Sequence, residues 1–514
     1  MTRWSGFKPC AFAPAGCGNV MIMHVCCCQR TRMIIAQYIF SFAARTPAAP
    51  AMVHNDRTIS YRAFAGAIAR ASAELALHLS PPPGTVAIRI HNLADCWVAT
   101  LALQARGYTT ICVGSLDVLA ALEVRNLRAI VVSAAEENLQ AAEDLPPVYA
   151  MGRPVFDDTQ DFEVPALAED VQACGHILYT SGTTGKYKKV LVPARTQREA
   201  DRERCDFQAY DSSTRYHALG FGLWTGNGYK APSSVWSVGG TAILDQRSDW
   251  AEPFVFSGVT RATLLPDLAL KLSECASLRS LPPRTGARPV FSMSGGFVSA
   301  KATAVLSQYF DLVNSYGCTE VGLGVLFHDY SLPAHLSWMK STGARVVEVE
   351  NEQGQVSALN EEGRLRIKLT ELDADGYLDD ADASRLAFSK GYFYPGDLAL
   401  QREDGAFRIL GRAADVVNLG GQKLAVAPIE ANLQDVLQVD YVCLFAGMTA
   451  TGEPEAVIAM EAPELPSEDR LEHVGQEFSQ WGEVRFALVD RFPRTQSGTS
   501  KIDRKRLRSL VFPD

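Results

Sequence analysis

A loop of small and hydroxyl-bearing residues is encoded by Tyr179-Thr180-Ser181-Gly182-Thr183-Thr184-Gly185-Lys186. The apolar pair Ile177-Leu178 comes directly before it, a pattern typical of a strand that ends in a loop. Glycines and hydroxyl groups offer many hydrogen-bond donors with little bulk, which lets a phosphate chain approach the backbone. A Walker A loop is excluded, because Gly182 and Gly185 stand too close together for that motif. An ordinary structural turn is the alternative interpretation of this stretch.

The chain has 514 residues and a net charge of −9. This length exceeds what one compact core usually holds, so roughly two or three domains are expected. Acidic and basic residues are interspersed without a basic stripe, which argues against a nucleic-acid partner. No apolar run is long enough to predict a membrane-spanning helix. Beyond the N-terminus the cysteines are scattered singly, which indicates buried thiols in a cytoplasmic protein.

The first 33 residues differ in composition from the rest of the chain. They include the triplet Cys26-Cys27-Cys28 but lack the continuous apolar core of a secretion signal. His24 and the cysteines could bind a metal, yet the C-x₂-C spacing of zinc sites is absent. We therefore expect residues 1–33 to be a disordered extension, with Met33 as an alternative start of translation.

Strand and helix patterns alternate after this extension. Ser60 can cap a helix over 61–79, and residues 85–90 then alternate as a strand does. A further helix and two more strand-like segments follow before residue 132. This alternation predicts an α/β fold with parallel-rich layers. The glycine-hydroxyl loop would then lie at the carboxyl end of a strand, where such sheets bind ligands.

The pattern changes in the last third of the chain. Short strand-like segments with glycine turns between residues 342 and 411 indicate a β-rich subdomain. A mixed pattern after Gly411-Arg412 predicts a small α+β domain. We therefore expect a large N-terminal domain over 34–411 and a small C-terminal domain over 412–514.

Three further motifs, far apart in the sequence, accompany the loop. They are Tyr316-Gly317-Cys318-Thr319-Glu320, then Gly391-Tyr392-Phe393-Tyr394-Pro395-Gly396-Asp397 leading to Gly411-Arg412, and finally Pro493-Arg494-Thr495-Gln496-Ser497-Gly498 with Lys501-Ile502-Asp503-Arg504. The order and spacing of the four motifs resemble the adenylate-forming superfamily. Its members are acyl- and aryl-CoA synthetases, peptide-synthetase adenylation domains and firefly luciferase. The resemblance extends from about residue 35 to residue 512.

The resemblance implies that a carboxylate attacks the α-phosphate of ATP, with Mg²⁺ bound and pyrophosphate released. Glu320 would hold the Mg²⁺, and Thr319 would contact phosphate. Tyr316 would lie against adenine, Asp397 would accept hydrogen bonds from both ribose hydroxyls, and Arg412 would make a second ribose contact. The other positions that match ATP-binding residues of the family are Thr180, Ser181, Gly182, Thr183, Thr184, Lys188 and Gly295. The implied catalytic residues are Lys501, Thr183 and Glu320.

The resemblance also implies two half-reactions and a moving C-terminal domain. Lys501 would bridge the carboxylate and the α-phosphate during adenylation, as a mobile positive charge. Residues 412–415 would form the hinge, with Ala414 at or near the pivot. Gly421 and Lys423 belong to the segment that would face the site during thioester formation and form the pantetheine tunnel.

Some positions depart from the family's usual pattern. The phosphate loop continues as Gly185-Lys186-Tyr187-Lys188-Lys189, in which Tyr187 and Lys189 make it bulkier and more basic. Ala414 replaces the Asp or Lys that usually marks the hinge. These departures affect the expected reaction rate and the expected hinge movement more than the expected class of reaction.

The substrate pocket implied by the resemblance is lined by Trp224, Thr225, Gly296 and Phe297. Amino-acid-activating members place an Asp in the first of these segments, but residues 222–228 contain no acid. A buried ammonium group without a counter-charge is costly, so a free α-amino acid is disfavoured. Trp224 either forms a pocket wall or belongs to the core. An aryl or a short to medium acyl carboxylic acid is therefore the expected substrate.

Three interpretations of the function remain open. CoA is the favoured acceptor, and because the chain ends at residue 514 without a fused carrier domain, any acceptor is expected in trans. A free-standing carrier protein with its phosphopantetheine, or an amine, is the second alternative. A non-catalytic nucleotide-binding protein is the third, suggested by the altered loop and Ala414.

Taken singly, three of the site residues also have structural alternatives. Glu320 could cap a helix, Asp397 could be a turn residue and Lys501 could be one charge of a solvated run.

Overall fold

The computed structural model describes residues 34–512 apart from a few internal segments, namely 135–144, 168–173, 182–185, 297, 323, 330–337, 420, 450 and 496–500. The expected N-terminal extension over 1–33 therefore lies outside the described residues. The same holds for Gly182, Thr183, Thr184, Phe297 and the side chain of Ser181.

The large N-terminal part contains helices and strands in alternation. The helices are α1 (Ile35–Arg45), α2 (Tyr61–His78), α3 (Leu93–Ala105), α4 (Leu116–Leu122), α5 (Gln197–Gln208), α6 (Gly226–Ser237), α7 (Ala251–Phe256), α8 (Pro266–Glu274), α9 (Ala276–Ser280), α10 (Ala300–Leu306) and α11 (Ala381–Ala387). The strands are β1 (Pro50–His54), β2 (Arg57–Ser60), β3 (Thr85–Arg89), β4 (Thr109–Cys112), β5 (Leu127–Ser133), β6 (Val148–Met151), β7 (Gly175–Ser181), β8 (Tyr187–Pro193), β9 (Arg215–His217), β10 (Thr241–Leu244), β11 (Arg261–Leu264), β12 (Val290–Met293), β13 (Asp311–Gly317), β14 (Gly324–Asp329), β15 (Lys340–Ser341), β16 (Val347–Glu350), β17 (Gly363–Lys368), β18 (Phe388–Ser389), β19 (Tyr392–Phe393), β20 (Asp397–Gln401) and β21 (Phe407–Arg412).

Local sequence signals account for the first of these elements. Ser60 caps α2, because its Oγ accepts the N–H of Ala63 at 3.0 Å. The helix predicted over 61–79 is confirmed as α2, and the strand predicted over 85–90 is confirmed as β3. Phe64, Ile68 and Leu75, on the apolar stripe of α2, are fully buried in the largest hydrophobic cluster.

Two parallel-rich sheets form the α/β layers. One has the strand order β6-β5-β3-β4-β7-β8, and all its neighbours are parallel except β7 and β8. The other has the order β15-β14-β13-β12-β11-β9-β10-β1-β2, parallel from β13 to β1 and antiparallel at both ends. Strands β16 to β21 form a third, antiparallel sheet. The predicted α/β layers and β-rich subdomain are therefore confirmed.

The C-terminal part has its own sheet and its own core. Its elements are β22 (Val417–Leu419), β23 (Gln422–Leu424), α12 (Val426–Leu437), β24 (Tyr441–Met448), β25 (Pro454–Glu461), α13 (Glu468–Phe478), β26 (Glu483–Val489) and α14 (Arg504–Val511). Strands β24 and β25 pair antiparallel, and β25 and β26 pair parallel. The predicted α+β character of this region is confirmed. No helix in the described part of the chain has the length and apolarity needed to cross a bilayer.

A polar seam joins the C-terminal part to the start of α8. Tyr441 donates its hydroxyl to Asp267, and the guanidinium of Arg494 lies 3.6 Å from the same carboxylate. Arg494 also pairs with Glu461 at 3.0 Å and covers the Tyr441 ring at 4.4 Å. Because Asp267 belongs to the large part and its partners to the small one, this seam connects the two parts in the orientation that the structure has.

Candidate active site

The β7–β8 hairpin holds the flanks of the glycine-hydroxyl loop. Strand β7 runs parallel to β4 and ends at Ser181, and β8 returns antiparallel from Tyr187. Thr180 therefore faces Lys188 on the neighbouring strand. The loop follows the carboxyl end of a parallel strand, the position at which α/β sheets usually bind ligands.

Lys188 and Lys189 project from β8 in different surroundings. The ammonium of Lys188 lies over the Tyr377 ring, 4.8 Å from its centroid. Lys189 is buried and donates to the carbonyls of Leu122 at 2.7 Å and Glu123 at 2.9 Å. The expectation that Lys189 makes the phosphate loop more basic is therefore wrong, because its charge is bound on the other side of the strand.

Lys189 is expected to contribute to stability rather than to phosphate binding. Its ammonium also pairs with Asp379 at 3.1 Å. The free energy of unfolding of a Lys189→Met variant should be about 3 kcal/mol lower than that of the parent, because breaking a buried ion pair leaves its partners unsatisfied. Urea unfolding would measure the change. Lys186→Met is the control, because Lys186 is exposed directly before β8. Equal stability of the two variants would contradict this role.

The ribose end of the predicted site is assembled by strands β13, β20 and β21. Tyr316 donates its hydroxyl to Oδ2 of Asp397, and Nε of Arg412 lies 3.3 Å from Oδ1. Asp397 and Arg412 face each other across β20 and β21. Burial raises the pKa of Asp397, and Arg412, Tyr316 and Lys501 oppose that rise only in part. Asp397 is thus in direct contact with Tyr316 and Arg412, the two other residues predicted to contact the nucleoside.

Glu320 lies in the turn that follows β13. It is buried, and its Oε1 accepts the hydroxyl of Tyr377 at 2.8 Å. No helix begins here, so the alternative that Glu320 caps a helix is wrong. Nothing in the sequence pattern singles out Tyr377, because the contact joins positions 57 residues apart. Tyr377 links the Glu320 carboxylate to the Lys188 ammonium through its hydroxyl and its ring.

Lys501 brings a cation from the C-terminal part to this cluster. Its backbone is fixed by the N–H of Thr495, which donates to the Lys501 carbonyl at 2.7 Å. Its side chain keeps contact with solvent. Surrounding protein and the nearby Arg412 charge lower the pKa of Lys501, whereas Asp397 and Glu320 oppose this change. The structure therefore places Lys501 within electrostatic reach of both predicted carboxylates.

The predicted substrate pocket is described only in part. Trp224 is half-buried, with its ring stacked on Tyr179 at a centroid distance of 6.3 Å. Gly222 permits this packing, because a Cβ added there would lie 2.2 Å from the Trp224 ring. Trp224 thus packs against the core while part of its surface stays accessible, and its role as a pocket wall stays a prediction.

Thr225 has a structural task of its own. Its Oγ1 accepts the N–H of Gly228 at 3.0 Å and donates to the Gly222 carbonyl at 2.9 Å, which makes Thr225 the N-cap of α6. A Cβ added at Gly228 would lie 2.1 Å from the Gly222 carbonyl oxygen. The tight turn before α6 therefore accounts for both the threonine and the glycine without a substrate.

Gly295 and Gly296 lie beside the start of α8. Gly295 has a φ of +84°, and a Cβ there would lie 2.9 Å from the Leu265 side chain. A Cβ at Gly296 would lie 3.2 Å from Pro266. These glycines allow the backbone to pass close to α8, and their expected contacts with ATP and substrate stay predictions.

The predicted hinge and tunnel residues lie in short elements just after β21. Ala414 lies in a single 3₁₀ turn directly after β21. Gly421 has a φ of +84° in the turn between β22 and β23, and Lys423 is exposed on β23. Such element-terminal positions suit a change of dihedral angles, so the hinge remains a prediction that this geometry permits.

Comparisons with known proteins agree with this arrangement. Residues 39–378 match the family model described as AMP-binding enzyme. A 2-succinylbenzoate–CoA ligase of Bacillus licheniformis is 26% identical over 386 residues, which cover 68% of this chain and 74% of the relative. Surfactin synthase subunit 3 of Bacillus subtilis is 24% identical over 492 residues, covering 90% of this chain and 37% of the relative.

A solved structure extends the likeness to the fold. The O-succinylbenzoate coenzyme A synthetase (MenE) of Bacillus subtilis, solved with ATP and magnesium ion, has a TM-score of 0.76 at 20% identity. The match covers 92% of this chain and 99% of that chain. Since the family model spans well over half of the sequence, the resemblance to adenylate-forming enzymes is confirmed, and the chain belongs to the AMP-binding enzyme family.

Proposed function

We propose that this protein activates a carboxylic acid with ATP, releases pyrophosphate and passes the acyl group to the thiol of CoA. The observation that carries the proposal is the cluster of Glu320, Asp397, Arg412 and Lys501. Arg412 pairs with Asp397 at 3.3 Å, and Lys501 from the C-terminal part interacts electrostatically with both Asp397 and Glu320. Such a cluster can bind a nucleotide, hold a metal and neutralise charge that develops at phosphorus.

The residues fit ATP with Mg²⁺. The described residues contain no group of three or more His, Cys, Asp or Glu side chains that could hold a metal on its own. Mg²⁺ needs no such group, because it is usually bound by one or two carboxylates together with substrate phosphates. Glu320 would be the protein carboxylate, and the bound ion would neutralise phosphate charge.

The protein's own groups would perform the remaining tasks in adenylation. Asp397 and Arg412 would fix the ribose, and Tyr316 would lie against adenine. Lys501 would hold the attacking carboxylate beside the α-phosphate, lowering the repulsion between the two anions. The bond from carboxylate oxygen to phosphorus forms as the bond to the pyrophosphate oxygen breaks. For the second step we propose a rotation of residues 412–514 relative to 34–411 about 412–415, which would bring Gly421 and Lys423 to the site.

An aromatic acid is the substrate class that we favour. The curated relative from Bacillus licheniformis carries 2-succinylbenzoate, an aryl acid, in its name. The half-buried Trp224 ring offers an apolar surface in the expected pocket. Loading of a carrier protein or an amine is the second candidate, supported by the similarity to surfactin synthase subunit 3.

A screen of carboxylic acids should identify the reaction. We expect acid-dependent pyrophosphate release with an aromatic acid in the presence of Mg²⁺ and ATP, and AMP with acyl-CoA when CoA is added. Purified carrier proteins and amines, supplied in parallel, would separate the second candidate from the first. Tight ATP binding without AMP release across aromatic and aliphatic acids would favour a non-catalytic role instead.

We also propose a cytoplasmic location. Cys96 and Cys112 are buried with their Sγ atoms 3.5 Å apart, which is a thiol contact and not a disulfide. Buried cysteines outside a disulfide framework are typical of proteins from a reducing compartment.

A further inference from the structure

Lys230 is a buried lysine on α6, outside all the motifs that resemble the family. The residue is 9% exposed, and its ammonium donates to the carbonyl of Thr319 at 2.8 Å. Thr319 is the residue directly before Glu320. A buried ammonium group is costly, so its presence under this turn requires compensating contacts.

The turn is shaped around the Lys230 ammonium. A Cβ added at Gly322 would lie 3.3 Å from Nζ of Lys230, and Gly322 has a φ of +83°. A side chain at residue 322 would therefore be strained and would crowd the ammonium. The concave side of the turn over 319–322 thus accommodates the end of Lys230.

A second cation supports the other end of the same turn. Arg204 on α5 donates to the Gly322 carbonyl at 2.8 Å and to the Lys230 carbonyl at 3.2 Å. The fully buried carboxylate of Asp201 lies 3.4 Å from the Arg204 guanidinium. The backbone on both sides of Glu320 is therefore held by cations from two different helices.

We propose that Lys230 is a positioning residue for Glu320, acting through the Thr319 carbonyl. The inference rests on the proposed function, in which Glu320 binds Mg²⁺ together with the phosphates of ATP. Without the ammonium, the Thr319 carbonyl would lose its donor and the turn would gain conformational freedom. The Glu320 carboxylate would then spend less time in the geometry that the ion requires.

The test compares Lys230→Met with the parent protein in binding as well as in activity. The Mg²⁺ concentration that supports half-maximal ATP binding should rise by roughly tenfold to a hundredfold, as expected for one lost hydrogen bond to a charged group. ATP binding in EDTA should stay unchanged, since the ribose contacts are intact. Under saturating Mg²⁺ the KM for the acid should also stay unchanged, while kcat for pyrophosphate release falls.

Two further variants make the result specific. Lys230→Arg keeps the charge and the donor and should recover part of the Mg²⁺ response. Lys340→Met, at an exposed position on β15, should behave like the parent. Thermal unfolding would show whether Lys230→Met is folded at the assay temperature.

The inference is overturned if folded Lys230→Met binds ATP with the parent's Mg²⁺ dependence. It is equally overturned if ATP binding falls to the same extent with Mg²⁺ and with EDTA, because this would indicate a general structural effect. If the parent binds ATP with Mg²⁺ but releases no pyrophosphate with any acid, the proposed function fails, and the binding experiment still decides the role of Lys230.

Discussion

Lys501→Ala should lower acid-dependent pyrophosphate release by about 10²–10³-fold, the usual loss when a donor aimed at developing charge is removed. Lys501 is the cation of the C-terminal part that lies near Asp397 and Glu320. Alanine removes the charge while leaving the backbone bond from Thr495 in place. Exchange of labelled pyrophosphate into ATP would measure the effect on the first half-reaction alone.

The second half-reaction provides the internal comparison for this variant. Transfer from a chemically prepared acyl-adenylate to CoA should persist in Lys501→Ala, because adenylation is bypassed. Lys505→Ala is the matched control, since Lys505 is exposed on α14 a few residues away. Parent-like pyrophosphate exchange by Lys501→Ala would remove Lys501 from the mechanism.

Asp397→Asn should raise the KM for ATP by about tenfold to a hundredfold. The carboxylate can accept from both ribose hydroxyls, and each hydrogen bond to a charged group contributes about 1.5–3 kcal/mol. Asparagine replaces one acceptor oxygen with a donor that would face Tyr316 or Arg412. Steady-state kinetics with ATP varied at saturating acid, and then the reverse, would separate the two KM values.

An exposed aspartate offers the control for this substitution. Asp404 pairs with Arg402 at 2.6 Å on the surface, where such pairs contribute little, so Asp404→Asn should leave both KM values unchanged. A thermal melt of Asp397→Asn would reveal any loss of folding caused by the unpaired Arg412. An equal rise in the KM for the acid and for ATP would contradict a specific ribose role.

Local patterns were sufficient to predict much of this fold. The Ser60 cap and the alternating residues of β3 are encoded within a few positions, so their elements match the prediction closely. The resemblance assigned both Asp397 and Arg412 to the ribose but did not predict their salt bridge, which joins the facing strands β20 and β21.

The remaining features depend on contacts that no local pattern encodes. Lys189 was misinterpreted because residues 187–193 form a strand, in which successive side chains point to opposite faces. Lysine side chains are normally exposed, but Lys230 is buried because α6 packs under the turn over 319–322, which is distant in the sequence. Tyr377 contacts Glu320 although the two residues are 57 positions apart in the sequence.

The seam at α8 bears on the rotation that we propose for the C-terminal part, because its docking arginine would keep a counter-charge if the two parts moved apart. When Asp267 is withdrawn, Arg494 retains Glu461 and the Tyr441 ring, both from its own part. No guanidinium is left isolated in nonpolar surroundings, which would cost several kcal/mol. The small part thus carries a second counter-ion for its own docking residue, as a reversible attachment would require.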